Sequence, residues 1–331
     1  MAMTIYDISK KAGVSIATVS RVLNGSENVR PSTRKKVMDV IDKYDYTPNA
    51  FARGMGLHSL KTIGILCADS SDLFLAKAVY FLEQELQANG YESLLCCTGY
   101  NPDIKKNYLN LILSKKVDSI ILVGSHFIGF NEDENQYIKD VSTQVPIMLL
   151  NASFDHPNVY STLCDDYGTM FEAATEMIQS GITDILYLYD SKSYSGLKKL
   201  HGFCDAMKEY NIPGFEKLIH FYDGNIEHLN EVADFVARIA TKGTSFHGIM
   251  TSDDSLAIGS IKYAQKKGIR IPEELSVMGY NNSMLTNCCT PELTSVDNRL
   301  ETQTHQLVQT LLGVLAGEEM PKKSIFSGKI I

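Results

Sequence analysis

Four residues near the amino terminus have the side chains and the spacing needed to read the edges of DNA bases. Ile16, Ala17, Ser20 and Arg21 follow one another at intervals that place them on one face of a helix. The Arg21 guanidinium can donate two hydrogen bonds to a guanine, and Ile16 and Ala17 can contact thymine methyl groups. These residues therefore predict readout in the major groove, provided that a helix presents them to solvent.

The flanking sequence predicts three short helices, of which the second carries these residues. Thr4 and Asp7 have the spacing of a capping box, and Gly13 supplies the turn that ends the first helix. Ser15 caps the second helix, and Pro31 takes the first position of the third. The apolar positions expected to face inward are Ile5, Ile8, Ala12, Val19, Val22, Leu23, Val37, Val40, Ile41 and Tyr44. This pattern is typical of an all-α helix-turn-helix head, residues 1–46.

The charge distribution agrees with a nucleic-acid partner for the head. Residues 1–61 contain ten Lys or Arg and five Asp or Glu, a net charge of +5. Because the whole chain carries −8, residues 62–331 carry −13. A basic head on an acidic body concentrates phosphate attraction at one end of the molecule.

From residue 62 onward, apolar strand-like runs alternate with helical runs, which is typical of an α/β protein. Continuous apolar strands predict parallel sheets covered by helices on both faces. The alternation runs twice, so we expect two doubly wound parallel-sheet lobes, which bind ligands in the crevice at the carboxyl ends of their strands. The predicted strands are 62–67, 91–97, 118–123, 146–150, 184–189, 217–222, 248–251 and 275–280. The predicted helices include 74–89, 103–114 and 166–179.

Residues near these strand ends are candidates for contact with a small effector. They are Asp69, Ser71, Phe74, Ser125, Asn151, Lys199, Asp253 and Asn281. Asp69 and Ser71 have an alternative role as caps of the helix that follows them, and Phe74 could equally belong to the core. Asp254, next to Asp253, is as well suited to capping a helix as to binding a ligand.

Three runs in the head and hinge closely resemble the lactose/galactose repressor family. They are Thr4–Gly25, Pro31–Arg34 and Tyr46–Met55, and the resemblance extends beyond the head to nearly the whole chain. The resemblance implies a dimeric transcriptional regulator that binds a near-palindromic operator and responds to a small molecule, most often a sugar. It also implies a body with the type I periplasmic-binding-protein fold.

The same resemblance assigns segments and residues. A hinge at 47–61 connects the head to a body at 62–331, whose N-lobe is about 62–161 plus 291–322 and whose C-lobe is about 162–290 plus 323–331. The residues expected to hold DNA phosphates are Ile5, Tyr6, Thr18, Asn24 and Asn28. The hinge residues expected in the minor groove are Asn49, Ala52, Arg53 and Met55, with Met55 as an apolar wedge between bases.

The chain departs from the family pattern at three places in the predicted cleft. Asp72-Leu73 stands where the family often has Asn-Pro, Lys199 where it usually has Arg, and Asn281 where it usually has Asp. An ammonium group cannot make the two-point contact of a guanidinium, and an amide carries no charge. We therefore expect ligand geometry that differs from the usual one.

Other classes of protein are disfavoured by the sequence. There is no GxxxxGK loop, no GxGxxG after a strand, no HExxH and no GxSxG, so we expect no enzyme, no metal and no cofactor. A transport solute-binding protein has no use for the head and requires export, whereas the first residues do not resemble a signal peptide. We expect a cytoplasmic protein with no membrane contact. A global regulator with a phosphorylated carrier protein as corepressor is the remaining alternative.

The cysteines predict neither a disulfide framework nor a zinc site. Their number is odd and no CxxC is present. We expect buried thiols, with a redox role for Cys96–Cys97 or Cys288–Cys289 as the alternative. The seven are Cys67, Cys96, Cys97, Cys164, Cys204, Cys288 and Cys289.

Overall fold

The computed structural model of the protein describes residues 3–23, 26, 28–46, 59–241 and 243–331. The candidate phosphate contact Asn24 therefore lies outside the described residues. So do the four hinge candidates Asn49, Ala52, Arg53 and Met55.

The head consists of three helices, as the capping signals predict. They are α1 (Ile5–Ala12), α2 (Ile16–Leu23) and α3 (Pro31–Lys43). Thr4 and Asp7 form the capping box of α1, with the side chain of each bonded to the backbone N–H of the other. At the start of α2, the Thr18 N–H donates to Ser15 Oγ. Each of these helices therefore begins where its sequence signal places it.

A small apolar core holds the head together. Ile8, Val19 and Val37 are fully buried, one from each helix. The prediction that Tyr44 faces this core is wrong, because its side chain is 39% exposed and lies under the Lys11 ammonium, 4.4 Å from the ring centroid. Tyr46 is buried against the core instead, beyond the end of α3.

The body contains two six-stranded sheets, one in each lobe. The strands of the N-lobe sheet, in spatial order, are β11 (Lys323–Phe326), β5 (Val159–Cys164), β4 (Ile147–Leu150), β3 (Ser119–Val123), β1 (Thr62–Cys67) and β2 (Glu92–Cys97). Those of the C-lobe sheet are β12 (Lys329–Ile330), β10 (Thr294–Asp297), β9 (Ser276–Tyr280), β8 (Gly248–Thr251), β6 (Ile185–Tyr189) and β7 (Ile219–Phe221). Every pairing is parallel except that of β10 with β12.

Helices cover both faces of each sheet, which explains the continuous apolar strands. The described helices of the body are α4 (Leu73–Ala88), α5 (Pro102–Ser114), α6 (Gln136–Ser142), α7 (Asp166–Gln179), α8 (Tyr194–Glu209), α9 (Leu229–Thr241), α10 (Asp254–Lys267) and α11 (Leu300–Leu315). Each lobe therefore has two apolar clusters, one on either side of its sheet. None of the described helices is both long and apolar enough to cross a bilayer.

The predicted strands and helices agree with the structure to within two residues at each end, and the largest difference is at β7. The sequence predicted a strand over 217–222, but only Ile219–Phe221 is extended. Gly214, with a φ of 73°, starts a 3-10 turn over Phe215–Leu218. That turn buries Phe215, so its packing outweighs the strand pattern.

Strand pairing moves the predicted lobe boundaries. Strand β5 belongs entirely to the N-lobe sheet, so the first crossing follows Cys164. β10 pairs with β9 in the C-lobe sheet, although its residues were assigned to the N-lobe. β11 pairs with β5 in the N-lobe sheet, although 323–331 was assigned to the C-lobe. By strand pairing, the chain crosses between the lobes after β5, after β10 and after β11.

The expectation of buried thiols holds for only two of the seven cysteines. Cys67 and Cys164 are buried, whereas Cys97 and Cys288 are exposed. Cys97 ends β2 at the edge of the N-lobe sheet, where its sulfur lies 3.8 Å from that of Cys67 on the neighbouring strand. All seven are free thiols.

Candidate functional site

Helix α2 presents the predicted base-reading residues to solvent. Val19 and Val22 face the core, so the opposite side of the helix is left free. Ile16, Ala17 and Arg21 are exposed, and Ser20 is half-buried beside them. The Ile16 side chain is 40% exposed. Its exposed part is available to an apolar partner such as a thymine methyl group.

The described candidates for phosphate contact lie on two sides of this face. Tyr6 is 68% exposed at the start of α1, with Ile5 half-buried next to it. Thr18 and Asn28 line one shallow depression together with Arg21. The structure therefore brings Thr18 and Asn28 next to the recognition face, as phosphate contacts that set its register would require.

The predicted effector residues lie at a cleft between the lobes, at the carboxyl ends of the strands. An inner chamber of about 90 Å³ adjoins an outer chamber of about 700 Å³, and the two share part of their lining. Six of the eight candidates line the inner chamber: Phe74, Ser125, Asn151, Lys199, Asp253 and Asn281. Asp69 lines the outer chamber.

Ser71 lies outside both chambers, on the exposed rim. Its backbone N–H and its hydroxyl each donate to Asp69 Oδ1, at 2.8 Å. These bonds hold the pKa of Asp69 below its usual range. The alternative role of Asp69 and Ser71 as caps of the following helix is wrong. Asp72 does so instead, accepting a hydrogen bond from the Leu75 N–H at 2.8 Å.

Lys199 is held by a buried network in the wall of the inner chamber. Its ammonium donates to the Ser252 carbonyl at 3.0 Å and lies 3.8 Å from the centroid of the Tyr280 ring. The Tyr280 hydroxyl in turn donates to Asp166 Oδ1 at 2.7 Å. Burial raises the pKa of Asp166, and the nearby Lys199 opposes that shift. Asp166 is therefore the buried acid that interacts with the Lys199 ammonium.

Three carboxyl groups line the inner chamber, and the sequence pattern identified only one as a ligand candidate. They are Asp72 from the N-lobe and Asp190 and Asp253 from the C-lobe. Ser252 Oγ donates to Asp190 at 2.8 Å, and Asn281 Nδ2 donates to Asp253 at 2.9 Å. Burial, with the charges of Asp253 and Asp190, raises the pKa of Asp72 to about 6. Asp190 directly follows β6, so its strand-end position could have marked it.

Direct hydrogen bonds join the two lobes across the cleft. Ser125 Oγ donates to Ser193 Oγ at 2.8 Å, and His126 Nε2 lies 3.4 Å from Ser191 Oγ. The buried Lys105 ammonium donates to the His126 carbonyl at 2.6 Å. Burial and this cation lower the pKa of His126 to about 4, so the imidazole is neutral near pH 7. The sequence analysis named Ser125 but missed His126, Ser191 and Ser193, because their partners lie in the other lobe, far away in the chain.

A metal ion requires several ligating side chains grouped around one point. No group of three or more His, Cys, Asp or Glu side chains among the described residues could hold a metal ion. The arrangement is suited to binding a polar organic ligand between the lobes.

Comparisons with known proteins agree with both parts of the molecule. Residues 4–49 match the model of bacterial regulatory proteins of the lacI family, and residues 174–330 match that of the periplasmic binding protein-like domain. An HTH-type transcriptional regulator of Lachnoclostridium phytofermentans is 49% identical, over 99% of this chain and 98% of that protein. The chain belongs to the lacI family of bacterial regulatory proteins. It is thus a DNA-binding transcriptional regulator, which confirms the resemblance found in the head.

Other lacI-family comparisons extend over the body. Catabolite control protein A of Priestia megaterium is 33% identical, over 89% of this chain and 87% of that protein. A crystal structure of the lac repressor dimer bound to operator and the anti-inducer ONPF has a TM-score of 0.89 with this chain. That likeness covers 100% of this chain and 98% of the repressor chain at 19% identity, so it confirms the predicted fold.

Proposed function

We propose that this lacI-family protein is a repressor whose affinity for its operator is controlled by a small molecule bound in the cleft. The observation that carries the proposal is the presence, in one chain, of an exposed recognition face on α2 and a polar chamber between two lobes. A ligand that prefers one arrangement of the lobes increases the population of that arrangement. If the head binds the operator more tightly in one arrangement of the lobes than in the other, the ligand changes operator affinity.

In this proposal the head reads the operator with Ile16, Ala17, Ser20 and Arg21. Arg21 donates to a guanine, and the apolar pair contacts thymine methyl groups. The residues that hold phosphates are Ile5, Tyr6, Thr18, Asn24 and Asn28. The hinge residues Asn49, Ala52, Arg53 and Met55 enter the minor groove, where Met55 separates two base pairs.

The protein acts as a homodimer on a near-palindromic operator, in the cytoplasm where the DNA is. Support comes from the edge of the N-lobe sheet, where β2 exposes Leu94 and Leu95. Tyr80 of the adjacent α4 is 53% exposed. An apolar sheet edge of this kind is suited to being covered by a second copy. A two-fold dimer then requires two related half-sites.

The effector in this proposal is a sugar or a sugar derivative. Ser125, Asn151, Asp253 and Asn281 supply hydroxyl, amide and carboxylate groups to one chamber, which match the hydroxyl groups of such a ligand. Phe74 offers an aromatic face in the same lining. A ligand that contacts both walls stabilises the closed arrangement of the lobes.

A second candidate is a global regulator whose corepressor is a phosphorylated carrier protein. The observation that favours it is the 33% identity to catabolite control protein A. Such a regulator would respond to the carrier protein in its phosphorylated form and not to free sugars. The two candidates therefore differ in what changes operator affinity.

The test is a thermal-shift screen of the full-length protein against sugars, sugar phosphates, nucleosides and purines, followed by operator titration with each hit. A ligand that raises the melting temperature with its concentration and changes operator affinity supports the proposal. A folded protein that responds to no ligand in either assay, but whose operator affinity changes with the phosphorylated carrier protein, would support the second candidate.

A further inference from the structure

The inner chamber of the cleft has an unbalanced negative charge. Asp72, Asp190 and Asp253 line it, and Lys199 is the one Lys or Arg among its described lining residues. The Lys199 ammonium is already bonded to the Ser252 carbonyl, and the buried Asp166 lies behind it. The Lys199 charge acts on Asp190 as well as on Asp166. One described cation therefore stands against three lining carboxyl groups and the acid behind them.

The placement of these carboxyl groups links the charge to lobe closure. Asp72 belongs to the N-lobe, at the start of α4, whereas Asp190 and Asp253 follow β6 and β8 of the C-lobe. Closing the cleft therefore brings the Asp72 carboxylate towards those of Asp190 and Asp253. The space between them is partly buried, so these like charges repel strongly. A positive group placed between them would remove that repulsion and stabilise the closed arrangement.

The geometry selects an organic cation over a metal ion. No three acidic, His or Cys side chains among the described residues are close enough together to hold a metal. Asp253 uses both carboxylate oxygens within the protein, for the Ser255 N–H and for Asn281. Asp190 accepts from the Ser252 hydroxyl at 2.8 Å, and Asp72 accepts from the Leu75 N–H at 2.8 Å. A carboxylate has about four acceptor positions, so each group keeps capacity for a ligand donor.

We propose that the effector is a hydroxyl-rich molecule with a protonated amino group, in the class of amino sugars, and that its ammonium lies between Asp72 and Asp190. The inference rests on the proposed function, because it names the ligand of the same cleft. The ligand's hydroxyl groups contact the amides of Asn151 and Asn281. A phosphate or carboxylate on the ligand is disfavoured by the same three acids.

The experiment is calorimetric titration of the full-length protein with matched probes. Glucosamine and galactosamine are compared with glucose and galactose, with glucosamine 6-phosphate, and with putrescine as an amine without hydroxyl groups. The amino sugars should bind at least about tenfold more tightly than their neutral counterparts, and more tightly than the phosphate or putrescine. The variants Asp72→Asn and Asp190→Asn should bring amino and neutral sugars close to equal affinity.

The controls separate this inference from a folding defect and from the proposed function. Asparagine is as good a helix cap as aspartate, so Asp72→Asn keeps the bond from the Leu75 N–H. Asp140→Asn, on the exposed side of α6, removes one charge outside the cleft and should leave the amine preference unchanged. Neutral sugars that bind as tightly as amino sugars, or a preference that survives both cleft variants, would overturn the inference while leaving a sugar-controlled repressor intact. If no probe binds and no ligand alters operator affinity, the proposed function fails as well.

Discussion

Ser125 of the N-lobe donates a hydrogen bond to Ser193 of the C-lobe, with an Oγ–Oγ distance of 2.8 Å across the cleft. Ser193 also accepts from Ser191, whose hydroxyl lies 3.4 Å from His126. These contacts connect the carboxyl end of β3 to the start of α8, next to the chamber that we assign to the effector. Bonds across the cleft stabilise the closed arrangement of the lobes, so they couple ligand binding to lobe position.

Removing this bond should loosen the closed arrangement. Ser125→Ala deletes the donor but leaves Ser193 as the cap of α8. Loss of one such bond costs about 1 kcal/mol, which corresponds to a roughly fivefold shift towards open lobes. Small-angle X-ray scattering of the ligand-free protein measures the change. Ser114→Ala, which removes a bond within α5, is the matched control. An unchanged scattering profile for Ser125→Ala would count against a role in closure.

Mutation of Arg21 on the recognition face is expected to reduce operator affinity and base preference. Arg21→Ala should weaken operator binding by about 1–3 kcal/mol and relax preference at one base pair of each half-site. Fluorescence anisotropy with matched and substituted operators measures both effects. Arg238→Ala, an exposed arginine on α9 of the body, should leave both unchanged. Equal operator affinity of Arg21→Ala and the wild-type protein would remove Arg21 from the base-reading set.

Met55, which lies outside the described residues, is predicted to bend the operator. Met55→Gly removes the apolar side chain that would separate two base pairs, so the duplex should stay straight in the complex. Met55→Leu keeps a wedge of similar size and should keep the bend. A circular-permutation gel-shift assay reports the angle. Normal bending by the glycine variant would refute the wedge, and ligand affinity should be the same for all three proteins.

Mutation of Asp253 is expected to affect ligand binding but not operator binding. Asp253→Ala should weaken effector binding without changing operator affinity in the absence of effector. Because Asp253 also caps α10 through the Ser255 N–H, the alanine variant loses about 1 kcal/mol of stability as well. Asp253→Asn keeps the cap and isolates the effect of charge. A parallel loss of operator affinity in the ligand-free protein would show instead that the variant is misfolded.

We expect the half-buried carboxyl group of Asp72 to make the stability of the protein depend on pH. Burial and the facing Asp253 and Asp190 raise its pKa from 3.8 to about 6, against the weaker opposing effect of its cap bonds. The folded state therefore binds a proton more tightly than the unfolded state, and Asp72 destabilises the fold increasingly as pH rises from about 4 to above 6. His126 shifts in the opposite sense, so the comparison must be between variants.

Asp72→Asn should accordingly be more stable than the wild-type protein at pH 7.5, by about 1–2 kcal/mol after the lost interaction with the helix dipole. The difference should be smaller at pH 4.5, where the carboxyl group of the folded wild-type protein is protonated. Urea unfolding of the ligand-free proteins at both pH values measures it. A wild-type protein that is the more stable of the two at pH 7.5 would contradict the raised pKa of Asp72.

The features predicted correctly are those set by neighbours in the chain. Thr4 and Ser15 mark helix starts because a cap is satisfied within one helical turn. Pro31 marks one because its ring fixes φ at a helical value in the first turn. Strand-end positions also located most of the cleft, since parallel strands end at one edge of a sheet. Tyr44 was misplaced because the chain turns after Lys43 and brings Tyr46 to the core instead.

The contacts that could not be predicted from the sequence join residues that are far apart in the chain. Tyr280 bonds to Asp166 across 114 residues, and Ser252 bonds to Asp190 across 62. No local pattern specifies such pairs, because they depend on how the sheets and crossing segments bring loops together. The lobe boundaries moved for the same reason, since only strand pairing assigns β10 and β11 to their sheets.

The most direct test of a ligand-controlled operator-binding protein is selection of DNA duplexes from a random library by the full-length protein, followed by titration of the selected duplex with and without a ligand from the thermal-shift screen. The account predicts enrichment of a near-palindromic site and a change in its affinity of at least about fivefold when the ligand is added. Enrichment of no sequence, or an enriched site whose affinity is the same with every cleft ligand, would contradict it.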